Sequence, residues 1–420
     1  MTAESHTGTL RVAIAAYDDD KAVSGPVSWV TRIPALLRDR GCDVCVLLLH
    51  WGCGENGRVF RALQRQGVTC ATQRFSTTEQ NTSWLVEQNR KYRPHVFIAN
   101  HVFPALLIGG LLRSSGIPSV GILRSDEPFY HAAIDRFVNG RPQDRLSAFV
   151  GVSQLLTDLA GQHSDLLLRT IPTGTPEAVS SAVWQSSMRL IYTGRLEQQQ
   201  KRILDTVEAI ITTVRQVPNT NAVIVGGGTQ EANVRQMVAE SGLPIRVTGG
   251  VDPEQVRKEL LQSQVHVLFS DYEGLPTAVV EAMACGVVPI CTRMRSGIPE
   301  LVRNGETGFL VDRPVQELPE IVKTLTQSPG VWERVSAAAR QQFKTGFSSD
   351  SVADRWLLLC RRLVKDAKPF ADIKLKQNEL CSWDERFRSE DSRGSHLVTD
   401  TGASSVLRIA KRFLKKLSFG

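Results

Sequence analysis

The chain has 420 residues, 42% of them hydrophobic and 6% aromatic, which suits a soluble globular protein of two domains plus a tail. A formal net charge of +7 and a pI near 9.0 favour anionic partners. Much of that excess lies at the C-terminus, and no aromatic–basic interleaving of the kind single strands need is present, so a nucleic-acid partner is not expected.

The first eleven residues (MTAESHTGTLR) lack a basic stretch followed by an apolar core, so no signal peptide is expected. The longest apolar run, Val102 to Leu112, is too short to span a bilayer. Eight cysteines are scattered at 42, 45, 53, 70, 285, 291, 360 and 381. Cys42 and Cys45 have redox or metal spacing, but they lead into a strand-like run and have no second pair, so they read as buried or half-buried thiols in a reducing cytosol.

In chain order, Leu10 to Ala16 predicts a strand, Val27 to Arg40 a helix kinked at Pro34, and Val44 to Leu49 a second strand. Gly25, before that helix, allows close backbone approach to a ligand. Thr82 to Tyr92 and Pro104 to Ser114 read as helices; His95 to Ala99, Ser119 to Leu123 and Ala148 to Val152 read as strands. Polar residues follow the strands: Asn100-His101, then Arg124-Ser125-Asp126-Glu127, then Ser153. Sheets of this kind place their ligands at those carboxyl ends, although His101 has an equally ordinary reading as a satisfied loop histidine. Residues 173–187, rich in Pro, Gly, Ser and Thr, read as a linker between domains 1–172 and 188–345.

The second series opens with a strand, Met188 to Tyr192, followed by Thr193-Gly194-Arg195-Leu196 and Lys201. A helix, Leu204 to Arg215, and a strand, Ala222 to Val225, lead into Gly226-Gly227-Gly228, which lacks dinucleotide spacing and reads as turn chemistry. Ile245 to Thr248 is a further strand. The stretch Gln264 to Cys291 then gives a strand, a turn around Gly274, a helix opening at Pro276 and Thr277 and closing before Gly286, and another strand. Free N–H groups at that helix start suit phosphate. Glu273 lies in the loop and Glu281 one turn into an otherwise apolar helix, from which it leans back towards the same place. Each acid alone reads equally as a solvated residue; together they suggest a site for phosphate plus polyhydroxyl. Ile298 to Asp312 reads as a short helix, a turn and an edge strand.

Residues 346–364 read as a last amphipathic helix, 365–405 as polar and disordered or partly ordered, and 406–419 as a basic amphipathic helix. In the last, Leu407, Ala410, Phe413, Leu414 and Leu417 oppose Arg408, Lys411, Arg412, Lys415 and Lys416. Such a helix lies on an anionic membrane or docks as an ordinary terminal helix.

These motifs resemble the retaining, nucleotide-sugar-dependent glycosyltransferases of GT-B fold, family 4 (glycosyltransferase group 1). The resemblance covers about residues 9–364 and rests on the E-x7-E motif from Glu273 to Glu281, on Gly194-Arg195-Leu196 with Lys201, on Asn304-Gly305 with Thr307-Gly308, and on the Gly25 loop. It implies two Rossmann-like parallel-sheet domains facing a cleft, an N-terminal acceptor domain and a C-terminal donor domain, with the helix 346–364 crossing back to the first. Arg195 and Lys201 would then neutralise the donor diphosphate. The backbone of Gly194, Gly274 and Leu275, with Pro276 and Thr277, would line the donor, Glu273 would bind the transferred sugar and Glu281 the ribose. Gly25 would lie near the diphosphate, His101 near the reacting sugar, and Asp126 would orient the acceptor.

The resemblance implies a nucleoside diphosphate-sugar as co-substrate, no cofactor and no required metal, and a glycan or lipid-linked acceptor. The scattered thiols favour a cytoplasmic enzyme, and 406–419 is its candidate for peripheral contact with the inner face of the membrane. A nucleotide-sugar epimerase of the same fold and a non-catalytic sugar-nucleotide-binding module are the alternatives. Ser24-Gly25-Pro26 stands where relatives carry a glycine pair, Arg202 where they carry glycine after the lysine, and Thr173-Gly174 where they carry asparagine–glycine. The run from Arg124 to Glu127 replaces a histidine, which puts the acceptor chemistry of relatives in question for this chain.

Overall fold

A computed structural model describes residues 8–18, 25–161 and 166–380; Ser24 and residues 381–420, including the basic run 406–419, lie outside them. The chain divides into two compact units. The first takes Met1–Gly151, Leu156–Ile171 and Ala353–Gly420, and the second Val152–Leu155 and Pro172–Val352.

The first unit is built on a seven-stranded sheet: β1 (Arg11–Asp18), β2 (Asp43–His50), β3 (Thr69–Arg74), β4 (Val96–Ala99), β5 (Ser119–Leu123), β6 (Ala148–Gly151) and β7 (Leu167–Thr170), in the order β3-β2-β1-β4-β5-β6-β7. Every pairing is parallel. β2 is buried from Val44 to His50 without alternation, as expected of a strand covered on both faces. β3 is half-buried between exposed ends and its sequence, TCATQR, carries little apolar signal, which is why it escapes a pattern reading.

The expected kinked helix is two helices, Gly25–Val30 and Ile33–Asp39, with Pro34 in the first turn of the second. Proline cannot donate to the preceding turn, so the chain breaks there instead of bending. The helix Thr78–Tyr92 begins a turn earlier than its apolar pattern suggests, because Thr77 caps it by accepting from Gln80 N. Helix Phe103–Ser114 packs so closely that a Cβ at Gly110 would meet Gln143 O at 2.0 Å. Trp29 and Trp356, both almost fully buried, meet edge to face at 5.1 Å. Residues beyond Lys365 dock onto this unit as far as 380: Ile373 is fully buried, Ala371 N donates to Ser115 O, and Gln377 Nε2 donates to Glu79 O.

The second unit carries β8 (Met188–Thr193), β9 (Thr220–Val225), β10 (Ile245–Gly249), β11 (Val265–Leu268), β12 (Val288–Thr292) and β13 (Phe309–Val311), ordered β10-β9-β8-β11-β12-β13 and again all parallel. Counted from β8 this is the doubly wound order 3-2-1-4-5-6, and the first six strands of the other unit repeat it. The stretch 173–187 is tied to the second unit through Thr175 N to Phe347 O and Ala182 N to Cys285 O. Seven described cysteines are free thiols, Cys42, Cys45, Cys285, Cys291 and Cys360 buried and Cys53 and Cys70 half-buried. Among the described residues no helix is long and apolar enough to cross a membrane.

Candidate active site

In a doubly wound sheet the order of strands reverses at one point, and the crevice beyond the carboxyl ends there receives the ligand. In the second unit that point lies between β8 and β11. Thr193 ends β8, and its hydroxyl meets Nε2 of His266, on β11, at 3.0 Å. His266 is fully buried, and burial followed by the Lys201 charge lowers its pKa to about 3, so the ring is neutral.

The two loops leaving these strands carry the expected charges and are stitched together. Gln200 O accepts from Asp271 N at 2.8 Å, and Gln200 Nε2 donates to Tyr272 O at 3.2 Å. Lys201 Nζ then lies 2.5 Å from Glu273 Oε1, with the two side chains 15% and 8% exposed. Arg195 donates to Gln200 Oε1 at 2.8 Å, and its carbonyl accepts from Tyr192 Oη. Arg202, which follows Lys201, has φ +46°, the left-handed conformation that glycine adopts without strain. Its guanidinium lies 3.2 Å from Asp205 and 3.6 Å from Asp271.

The glycine triplet has a packing role that its spacing does not disclose. A Cβ at Gly226 would meet Gly194 O at 1.8 Å, and Leu196 N donates to Gly227 O, so the end of β9 presses directly on the loop bearing Arg195. On the other side, Gly274 O accepts from Gly297 N, and Leu275 is buried against Gly297. Pro276 caps the helix Thr277–Ala284, whose start lies beside Glu273, and Glu281 is half-buried within it. Arg195, Lys201, Gly194, Glu273, Gly274, Leu275, Pro276, Thr277 and Glu281 therefore all belong to the loops and helix that leave β8 and β11.

In the first unit the corresponding point lies between β1 and β4. Asp18 ends β1 buried, and its carboxylate accepts from Val59 N and Phe60 N at the start of the helix Arg58–Arg65. Gly25 opens the helix Gly25–Val30, and a Cβ there would meet nothing within 4 Å. Asn100, just after β4, donates to Pro26 O at 3.1 Å and accepts from both Nε and Nη2 of buried Arg124. Arg124 also lies over the Trp29 ring at 5.6 Å. Burial brings its pKa down to about 10, which leaves it charged at neutral pH.

His101 has φ +58°, rare for a residue with a side chain. Its Nδ1 meets Tyr130 Oη at 2.7 Å, its ring packs on Phe129, and burial and then Arg124 lower its pKa to about 4. Asp126 is engaged by His131 Nε2 at 2.6 Å. Asn100, Thr193, Gln200 and His266 are the site members that sequence reasoning did not single out; Asn100 and Thr193 were visible as the polar residues that close two strands.

Comparison with known proteins follows this geometry. Residues 182–342, most of the second unit, match the family model described as glycosyl transferases group 1. Glycogen synthase of Mycobacterium tuberculosis is 26% identical over 286 residues, covering 63% of this chain and 68% of that protein. The sulfoquinovosyl transferase SQD2 of Arabidopsis thaliana is 21% identical over 354 residues, covering 76% of this chain and 67% of that protein. Among solved structures, Anabaena HepE in complex with UDP superposes with a TM-score of 0.66 at 17% identity, over 84% of this chain and 99% of that one. The pneumococcal O-GlcNAc transferase GtfA gives 0.68 at 11% identity, over 86% and 100%. The architecture is thus that of the GT-B glycosyltransferases, and the chain carries a glycosyltransferase domain and is an enzyme of that class.

Proposed function

We propose that the protein is a retaining hexosyltransferase that moves a sugar from a nucleoside diphosphate-sugar to a saccharide or lipid-linked acceptor in the synthesis of a cell-surface glycan or glycolipid. The second unit holds the donor and the first the acceptor. When the bond from the anomeric carbon to the phosphate oxygen breaks, the departing diphosphate gains negative charge. Fixed cations that meet it there stabilise the transition state more than the ground state. Arg195 and Lys201 take that role, helped by the N–H groups at the start of Thr277–Ala284. Glu273 accepts from a hydroxyl of the transferred sugar and Glu281 from the ribose. The acceptor oxygen attacks the face the phosphate leaves, its proton passes to the departing phosphate oxygen, and configuration is retained.

The observation that carries this reading is the Lys201–Glu273 pair at the β8/β11 switch point of the unit that matches the group 1 model. A cation suited to phosphate beside an acid suited to a sugar hydroxyl supports the donor-site reading. UDP-glucose is the first donor to try, because HepE has been crystallised with it; GDP-mannose is the next, named for an α-mannosyltransferase of Xanthomonas oryzae that is 32% identical over 131 residues. The reading includes peripheral attachment at the inner face of the membrane through 406–419.

The test screens UDP-, GDP- and ADP-sugars for thermal stabilisation, followed by assay of nucleoside diphosphate release and product analysis with and without acceptor. Lys201→Ala and Glu281→Ala should abolish release while the protein stays folded. The reading fails if no sugar nucleotide stabilises the protein or is turned over. An epimerised sugar nucleotide formed without acceptor would replace it with an epimerase.

A further inference from the structure

At the carboxyl edge of the first unit's sheet, three aromatic rings run from β1 across to β3. Tyr17, Trp51 and Phe75 stand at or just past the ends of β1, β2 and β3, with Trp51 at 5.0 Å from Tyr17 and 5.5 Å from Phe75 between ring centroids. Trp51 is 37% exposed, unusual for the largest apolar side chain. Beyond Phe75 the row opens into a groove of about 930 Å³ between the end of β3 and the helix Thr78–Tyr92, a volume in the range of ligand sites.

The lining defines what fits. Phe75 and Trp84 offer aromatic faces, and Gln73 and Gln80 offer amides, each able to donate and accept. Among the described lining residues Arg74 is the one cation, set against Glu79 and Glu87, and Glu87 is itself paired with Lys91 at 2.5 Å, so the lining offers no surplus of positive charge to hold phosphate or another anion. Two aromatic side chains among so many polar ones give a lipid tail too little apolar wall. Ring faces for C–H surfaces, with amides and acids for hydroxyls, match an uncharged sugar chain.

The groove is also rigid. Buried Asn81 bonds both N and O of Ser76, Thr77 caps the helix, and Gln377 Nε2 lies 3.1 Å from each of Glu79 O, Thr82 Oγ1 and Ser83 Oγ. The docked C-terminal segment thereby supplies one wall. β3 lies two strand spacings, about 10 Å, from β1. A sugar held there is not the one that reacts at the switch point.

We propose that this groove, with the Trp51 ring beside it, is a subsite for neutral saccharide that binds the distal hexose rings of a glycan acceptor. The inference rests on the glycosyltransferase reading for the word acceptor, and on the groove's own chemistry for the word saccharide. It makes the acceptor an oligosaccharide of several residues, and it makes the segment up to residue 380 part of the binding surface.

The experiment is calorimetric titration of the full chain with maltotetraose, cellotetraose, chitotetraose and mannotetraose, without donor. At least one should bind, and Trp84→Leu and Gln73→Ala should each raise its Kd at least about fivefold, with unfolding temperature and UDP-glucose affinity unchanged. The proposal is overturned if none of the four binds, or if either variant holds the Kd below that factor. Saccharide binding without any donor turnover would leave the subsite standing and sink the transferase reading instead; donor turnover without saccharide binding would do the reverse.

Discussion

The Lys201 ammonium and the Glu273 carboxylate hold each other at 2.5 Å, both largely shielded from water, across the two loops that leave β8 and β11. The pair ties the two loops together, so this structural role and the proposed chemical one can be separated by mutation.

Removing one member of a shielded ion pair strands the other charge. Lys201→Met should therefore cost about 3 kcal/mol of stability, and adding Glu273→Gln should recover most of it, because replacing both members is often close to neutral. Activity should not follow stability. The double variant should unfold near the wild-type temperature yet release nucleoside diphosphate at less than about one hundredth of the wild-type rate, since the cation and the acid beside it are both gone. Unfolding curves and initial rates check this. Activity that recovers along with stability would show that Lys201 serves the fold alone.

His266 sets an acid limit on stability. Its pKa is near 3 in the folded protein and about 6.5 when unfolded, so the fold favours the neutral ring. The unfolded chain then binds the extra proton as pH falls, and the stabilisation is complete above pH 6.5 and is lost on going down towards 3. At pH 5 the loss from this residue is of the order of 2 kcal/mol. His266→Gln keeps a group for Thr193 and cannot titrate, so its unfolding temperature should fall less between pH 7 and pH 5 than that of the wild type. Parallel pH profiles for the two proteins would contradict the assignment.

The part of the candidate site that lies in the second unit was legible in the sequence because its pieces lie close together in the chain. Glu273, Gly274 and Glu281 sit on one strand–loop–helix unit, and Arg195 and Lys201 on another, and parallel topology alone brings the two to the same sheet edge. The part in the first unit is dispersed. Asn100, Arg124 and Pro26 come from three segments, and no periodicity announces that an amide will join them. β3 was missed because an outer strand with half-buried polar residues has no apolar code to read. The docking of residues 366–380 was missed because one buried isoleucine and a few backbone bonds hold it, in a segment whose composition is polar. The break at Pro34 was visible, but a kink and a clean division are distinguished by packing that sequence does not contain.

A second consequence concerns metal. If Arg195 and Lys201 carry the charge of the leaving diphosphate, a divalent ion is not needed for bond cleavage. Turnover of the accepted donor should keep more than about half its rate in excess EDTA. A loss of tenfold or more, restored by Mg²⁺ or Mn²⁺ but not by NaCl, would mean that the two side chains do not suffice.

The basic run 406–419 lies outside the described residues, and its apolar and cationic faces are a matter of sequence. Five cations on one face are worth roughly 1 kcal/mol each near an anionic surface, and salt screens them. Deleting 405–420 should therefore reduce binding to phosphatidylserine-containing vesicles by at least about tenfold at 0.1 M salt and leave donor turnover in solution unchanged. Sedimentation with vesicles measures it; equal partitioning of both proteins would remove the membrane from the account.

Asn100 offers a way to separate holding a charge from placing a loop. Its Oδ1 accepts from Arg124 while its Nδ2 donates to Pro26 O, beside Gly25. Asn100→Ala loses both and leaves buried Arg124 without that acceptor, at a cost of about 2 kcal/mol. Asn100→Asp gives Arg124 a better acceptor but cannot donate to Pro26, so the fold is kept and the tether is cut. If the Gly25 segment must be held for catalysis, Asn100→Asp should lower kcat/KM for the donor about tenfold, a barrier change near 1.4 kcal/mol, without lowering the unfolding temperature. A variant with full activity and full stability would show that the contact with Pro26 is incidental, and would leave Asn100 as a partner of Arg124 only.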